Sequence, residues 1–171
     1  YLPFKRYHIA KVWRGEKPQA GRYREFVQCD VDTVGSDTAA ADFEILNVMK
    51  SALSAIGVDD ITINVNHRGI FNRFLSKLDL LEKSEDILRS VDKLAKVGQE
   101  AVVNELIQIT QSPEKSNKII EYISAKGSFL EILAQLEEMA GGPAEDTQRM
   151  KDIYNMMCAS GIESTYVLNP S

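Results

Sequence analysis

The sequence predicts an α+β chain: an antiparallel β-hairpin, or partial sheet, with flanking helices, joined to an all-helical module. Three observations predict it. Two runs near the start, Tyr7 to Gly15 and Tyr23 to Val34, are rich in aromatic and β-branched residues. From about Lys77 the strand signals vanish, and apolar residues recur at helical spacing as far as Ala159. A strand-like stretch returns only at Thr165 to Leu168.

Between the two opening runs, Glu16 to Arg22 holds Gly, Pro and charged residues and reads as a turn, so the pair makes an antiparallel hairpin with a long tip. After Gly35, Ser36 or Asp37 is placed to cap a helix whose Phe43, Leu46, Met49, Leu53 and Ile56 follow helical spacing until Gly57 stops it. Ile61 to Val65 alternates as a strand, and Asn66 is placed to cap a helix holding Ile70, Phe71, Phe74 and Leu75. In the helical stretch, Ser84 caps a helix with Ile87, Leu88, Val91 and Leu94 that Gly98 ends, and the next runs from about Gln99 to Thr110. Ser112-Pro113-Glu114 starts a third, because proline at the first helical position lacks only a donor that would be unpaired anyway. That helix carries Ile119, Ile120, Tyr122 and Ile123 and stops at Gly127. A fourth, Phe129 to Met139, is broken by Gly141-Gly142-Pro143, and a fifth spans Glu145 to Ala159 before Gly161.

With 171 residues, 44% of them hydrophobic, the chain is long enough for a core of its own. The formal charge of -5 argues against a general nucleic-acid coat, but it is unevenly spread. Residues 1–35 hold seven Lys/Arg against four Asp/Glu, and residues 36–171 hold thirteen against twenty-one, so an anionic ligand belongs at the start. Cys29 and Cys158 form no metal spacing and are expected as reduced, buried thiols of a cytoplasmic protein. His8 and His67 lack partners at zinc spacing, so no metal site is expected. No apolar run approaches the ~20 residues of a membrane span. Met139, Met150, Met156 and Met157 fall on helical patterns and read as core filler.

Successive strand side chains alternate between faces, so Arg24, Phe26, Gln28, Asp30 and Asp32 share one side of the second run. Glu25, Val27, Cys29, Val31 and Thr33 share the other, which is expected to pack. The even face is costly to bury idly, because each unpaired polar group out of water costs roughly 1–3 kcal/mol. Arg14, Lys17, Arg22 and Arg24 gather near one edge, and guanidinium groups suit bidentate phosphate contact. On composition alone, a solvated hairpin tip remains the competing account.

The residues themselves carry more. The run from Trp13 to Asp32, Trp-Arg-Gly-Glu-Lys-Pro-Gln-Ala-Gly-Arg-Tyr-Arg-Glu-Phe-Val-Gln-Cys-Asp-Val-Asp, closely resembles motif 2 of class II aminoacyl-tRNA synthetases in its histidyl form. Ser90-Val91-Asp92-Lys93-Leu94-Ala95-Lys96-Val97 resembles the start of the helical insertion domain of histidyl-tRNA synthetases, and Asn64-Val65-Asn66-His67-Arg68-Gly69 lies between the two. The resemblance implies a partial class II catalytic domain at 1–76, a helical insertion domain at 77–146, and a return to the catalytic domain at 147–171. It implies that Arg14 is catalytic, gripping the ATP α-phosphate and the histidine carboxylate, and that Glu16 meets the adenine amino group. Phe26 is then the ring under adenine, Arg22 and Arg24 touch ATP, and Gln28 and Asp32 hold the histidine α-amino group. Lys77, Lys83, Lys93, Lys96, Lys115 and Lys118 are candidates for tRNA contact, although interleaved acids favour a solvated helix face.

The implied parent enzyme joins L-histidine to tRNA(His) with ATP and Mg²⁺, holds no tight cofactor, and is a cytoplasmic homodimer with no membrane attachment. The chain is expected to be an internal fragment that is inactive alone, since the family's motif 1, an Arg-Gly-Leu-Asp-Tyr-Tyr stretch, motif 3 and an anticodon-binding domain are not in it. Three other readings compete: the regulatory subunit of ATP phosphoribosyltransferase, a synthetase-like kinase sensor domain, and a bare tRNA-binding module.

Overall fold

In the computed structural model, which describes residues 1–94 and 96–171, strands β1 (Phe4–Trp13) and β2 (Glu25–Val34) form the antiparallel hairpin. Their register sets Arg6 opposite Asp32, His8 opposite Asp30, Ala10 opposite Gln28 and Val12 opposite Phe26. One further backbone bond, from Arg14 N to Arg24 O at 2.8 Å, carries the ladder toward the tip. At the tip Gln19 and Arg22 exchange backbone bonds of 3.1 and 2.9 Å. Gly21 takes φ 74° there, a conformation that a side chain would strain.

The two faces are covered opposite to expectation. Phe26, Gln28, Asp30 and Asp32 are half-buried, while Val27 is 64% exposed and Cys29 is exposed with it. Alternation sorts side chains into two faces, but which face gains a neighbour is a tertiary matter. Cys158 is likewise exposed, on the outer side of a helix, so neither thiol is the buried group expected of it.

Helix α1 (Ala39–Ala55) follows, and its cap is Thr38, whose hydroxyl accepts from Ala41 N, rather than Ser36 or Asp37. Ser36 instead places its hydroxyl 3.2 Å from that of Thr38. Gly57 at φ 82° ends the helix as expected. Residues 1–59 form one compact unit, and none of its side chains is buried, as befits one helix beside a two-stranded ribbon.

The second unit, residues 60–171, holds the core. Strand β3 (Ile63–Val65) pairs in parallel with β4 (Tyr166–Leu168), so the helices between them leave and return to adjacent strands. Helix α2 (Arg68–Lys77) is capped by His67, whose Nδ1 accepts from Gly69 N at 3.1 Å; Asn66, the expected cap, accepts from His67 N instead. A short 3-10 turn, Leu81–Lys83, precedes α3 (Ser84–Val91), which makes Ser84 the first helical residue and not a side-chain cap. Lys93 N bonds Ser90 O at 3.1 Å, and the chain restarts as α4 (Leu94–Val97), so the single helix expected up to Gly98 is two.

Helices α5 (Gln99–Thr110), α7 (Phe129–Met139) and α8 (Glu145–Ala159) keep their expected bounds closely, while α6 (Pro113–Ile123) starts as expected but ends at Ser124, short of Gly127. Ser112 caps α6 with Pro113 behind it, and Ser128 with Glu131 closes a capping box on α7. Val102, Leu106, Ile119, Leu133, Leu136 and Met157 are fully buried between them. The ring of Tyr122 stacks on Phe74 with centroids 4.6 Å apart and meets Phe71 at 5.3 Å. Arg73 of α2 grips Asp146 of α8 through two bonds of 2.9 Å and donates to Ala140 O and Gly142 O at 3.1 Å. Thus α2 and α8 pack with the middle helices, and the compact units divide at 59/60. No helix is long and apolar enough to cross a membrane among the described residues.

Candidate functional site

The even face of the hairpin is built by alternation, and antiparallel pairing then sets its side chains in facing columns. Arg14 stands at the tip end of that face. Its guanidinium lies 5.1 Å from the centroid of the Phe26 ring, a cation–π distance, and Nη2 donates to Gln28 Oε1 at 3.1 Å. A cation, an aromatic plate and a carboxamide acceptor therefore meet at one spot. All three are open to solvent or half-buried, so a ligand can reach them.

The tip residues are ordered by their own contacts. Arg22 Nε lies 3.0 Å from Glu16 Oε2, and Arg24 Nε donates to Glu16 O at 3.2 Å. Glu16, Arg22 and Arg24 thus gather at the tip, and Glu16 holds both arginines.

Gln28 and Asp32 share the face but are not side by side. Two positions apart twice over, at about 3.3 Å per residue, their Cα atoms are about 13 Å apart along the strand, with Asp30 between them. Gln28 Nε2 donates to Asp30 Oδ1 at 2.6 Å, and Asp32 Oδ2 accepts from Arg6 Nε at 2.7 Å. The sequence alone gives no role to Arg6 or Asp30. The predicted strand starts at Tyr7, whereas β1 begins at Phe4, and the register then sets Arg6 opposite Asp32. Asp30 was visible by parity alone.

On the opposite face Glu25 accepts from Lys11 Nζ at 2.7 Å and from Trp13 Nε1 at 2.8 Å, and these two bonds hold its carboxyl below the usual range. Among the candidate tRNA contacts, Lys83 Nζ donates to Ile109 O at 2.7 Å and Lys115 Nζ to Leu78 O at 2.5 Å. Both tie down carbonyls at helix ends, which is a structural use of the charge. Lys93 and Lys118 pair with Glu105 and Glu114, and Lys77 donates to Met139 O at 3.4 Å. His67 serves as the helix cap, and His8 stands exposed opposite Asp30. No cluster of three or more His, Cys, Asp or Glu suited to a metal ion occurs among the described residues.

Comparison with known proteins bears on the whole chain. A family model described as histidyl-tRNA synthetase matches residues 2–170. The histidine–tRNA ligase of Treponema denticola is 57% identical over all of this chain, which covers 39% of that protein. The enzyme of the same name from Rhodopirellula baltica is 45% identical over 94% of the chain and is covered to 37%. The chain thus spans about 40% of the length of the curated relatives it matches. A crystal structure of histidyl-tRNA synthetase from Nostoc sp. superposes on 99% of the chain with a TM-score of 0.85 at 23% identity, covering 40% of that protein. That likeness speaks for the α+β fold, helices with a small sheet.

Proposed function

The chain belongs to the histidyl-tRNA synthetase family, and from that premise we propose that it is the part of a histidine–tRNA ligase that holds ATP against L-histidine. The observation that carries this reading is the meeting of Arg14 with Phe26 and Gln28 on one hairpin face. The reaction needs those three groups together. The histidine carboxylate attacks the α-phosphorus of ATP, the bond to the bridging oxygen breaks, and pyrophosphate leaves. A terminal ribose hydroxyl of tRNA(His) then attacks the histidyl carbonyl, the bond to the phosphoryl oxygen breaks, and AMP leaves. Negative charge builds on the α-phosphoryl oxygens during attack, and a preset cation there lowers the barrier. Arg14 supplies that charge and also meets the incoming carboxylate, so it holds both reactants in line.

Phe26 is the plate for adenine, Glu16 meets its amino group, and Arg22 and Arg24 take the outer phosphates. For that, the arginines exchange Glu16 for the polyphosphate. Gln28 and Asp32 receive the histidine ammonium, Asp32 by exchanging Arg6 for it in whole or part. Magnesium enters as a companion of the ATP phosphates.

Residues 1–76 and 147–171 are the catalytic frame in this reading, and 77–146 the helical insertion. The parallel pairing of β3 with β4 supports it, because it makes the frame continuous across the intervening helices. The parent acts as a cytoplasmic homodimer. The matched relatives are ligases by name, which disfavours a regulatory subunit, a kinase sensor domain or a bare tRNA-binding module.

Histidine-dependent ATP–pyrophosphate exchange by the full-length parent tests the proposal. Arg14→Ala is expected to reduce exchange by about 10²-fold or more, the usual scale for one lost transition-state charge. Exchange at the parent rate in that variant would remove Arg14 from the mechanism.

A further inference from the structure

We infer that Asp30 is a positioning residue for histidine binding, one that sets which end of the Gln28 carboxamide faces the ligand. The inference rests on the reading of Gln28 above and extends it to a residue to which that reading gives no role.

A carboxamide has two near-isosteric orientations, and its neighbours choose between them. Here the neighbours are opposite in kind. Arg14 Nη2, which can only donate, lies 3.1 Å from Oε1, and the Asp30 carboxylate, which can only accept when ionised, lies 2.6 Å from Nε2. Turning the amide over would set oxygen against carboxylate and N–H against guanidinium, two repulsions replacing two bonds. Asp30 and Arg14 thus select one orientation from opposite ends.

That orientation matters because a histidine ammonium has only donors. It can bond Gln28 through Oε1, whose second lone pair remains after Arg14 has taken the first. With Asp30 removed, only the single 3.1 Å bond from Arg14 opposes a turn of the amide, and that bond is itself put at risk when Arg14 moves onto phosphate. The flipped amide would present N–H to the ammonium, which is a clash of donors. Asp30 reaches Gln28 because the two are separated by one residue on a strand and so share a face, about 7 Å apart at Cα. Across the hairpin, the Cα partner of Asp30 is His8, and Arg6 next to it is occupied by Asp32, so Gln28 is the amide that Asp30 serves.

The test uses the full-length ligase and ATP–pyrophosphate exchange at varied histidine. Asp30→Ala is expected to raise KM for histidine about tenfold, the scale of one hydrogen bond to a charged group, with the loss falling on KM rather than kcat. Asp30→Asn should recover most of that loss, because Oδ1 still accepts from Nε2. Adding Asp30→Ala to Gln28→Ala should cost nothing beyond Gln28→Ala alone, since there is no amide left to orient. If Gln28→Ala raises KM and Asp30→Ala does not, the role of Asp30 is overturned while the site reading stands. If Asp30→Asn is as poor as Asp30→Ala, charge and not orientation is at work, and the inference fails. If Gln28→Ala leaves KM unmoved, the assignment of Gln28 falls, and this inference with it.

Discussion

Replacing Asp146 by Asn tests the contact that ties α2 to the start of α8. The substitution keeps the shape and the Oδ1 that accepts from Thr147 N at 2.7 Å, and it removes both the charge facing Arg73 and the Oδ2 acceptor for Arg73 Nε, which becomes an N–H donor. Breaking one side of a fully buried pair costs about 3–5 kcal/mol, and an exposed pair is worth about 0–1 kcal/mol. Arg73 keeps 30% and Asp146 12% side-chain exposure, so the expected loss is about 2–3 kcal/mol. At a urea slope of about 2 kcal/mol/M, this lowers the unfolding midpoint by about 1 M. Far-UV circular dichroism follows it, because most of the helix lies in residues 60–171.

Burial raises the Asp146 pKa, and the bonds from Arg73 and the Thr147 backbone outweigh it, leaving the carboxyl below its ordinary value. A carboxylate depressed by folding stabilises fully above its unfolded pKa of about 3.9 and loses that contribution as pH falls through the lower folded value. The gap between parent and variant is therefore full at pH 7 and closes as pH is taken below about 4. A midpoint shift under about 0.2 M at pH 7 would refute the reasoning, as would a gap that persists once Asp146 is protonated.

Phe26→Ala should raise KM for ATP in pyrophosphate exchange about tenfold or more, since base stacking on an aromatic ring is worth about 1–3 kcal/mol; an unchanged KM would place adenine elsewhere. Ser112→Ala removes the hydroxyl that accepts from Lys115 N at 3.3 Å and should cost about 1 kcal/mol in urea unfolding, whereas Ser112→Asp should restore it. The 171-residue chain alone, covering about 40% of its relatives' length, should show exchange at background, and turnover near that of the full-length enzyme would contradict the need for the rest.

The helices of the second unit were legible because each start and stop rests on local chemistry. Proline behind Ser112, the Ser128 and Glu131 pair, and glycines 57 and 98 at positive φ act within a few residues. Caps slipped by one or two places where two hydrogen-bonding side chains stood together, as with Asn66 and His67, since either can meet an orphan N–H. The pairing of β3 with β4 was not legible: a hundred residues separate them, and no local signal names a distant partner. Along the hairpin, parity assigns Phe26, Gln28, Asp30 and Asp32 to one face correctly, yet it cannot say that this polar face is the half-buried one. The separation of Gln28 from Asp32 followed from strand rise and was readable; the engagement of Asp32 by Arg6 needed the register.

The most direct test is a crystal structure of the full-length ligase with a non-hydrolysable histidyl-adenylate analogue. The adenine is expected on Phe26, the phosphoryl mimic within hydrogen-bond distance of Arg14, and the ammonium against Gln28 Oε1 and Asp32, with Arg6 drawn off the latter. An analogue seated away from this hairpin face, with Arg14 still bonded only to Gln28, would contradict the assignment.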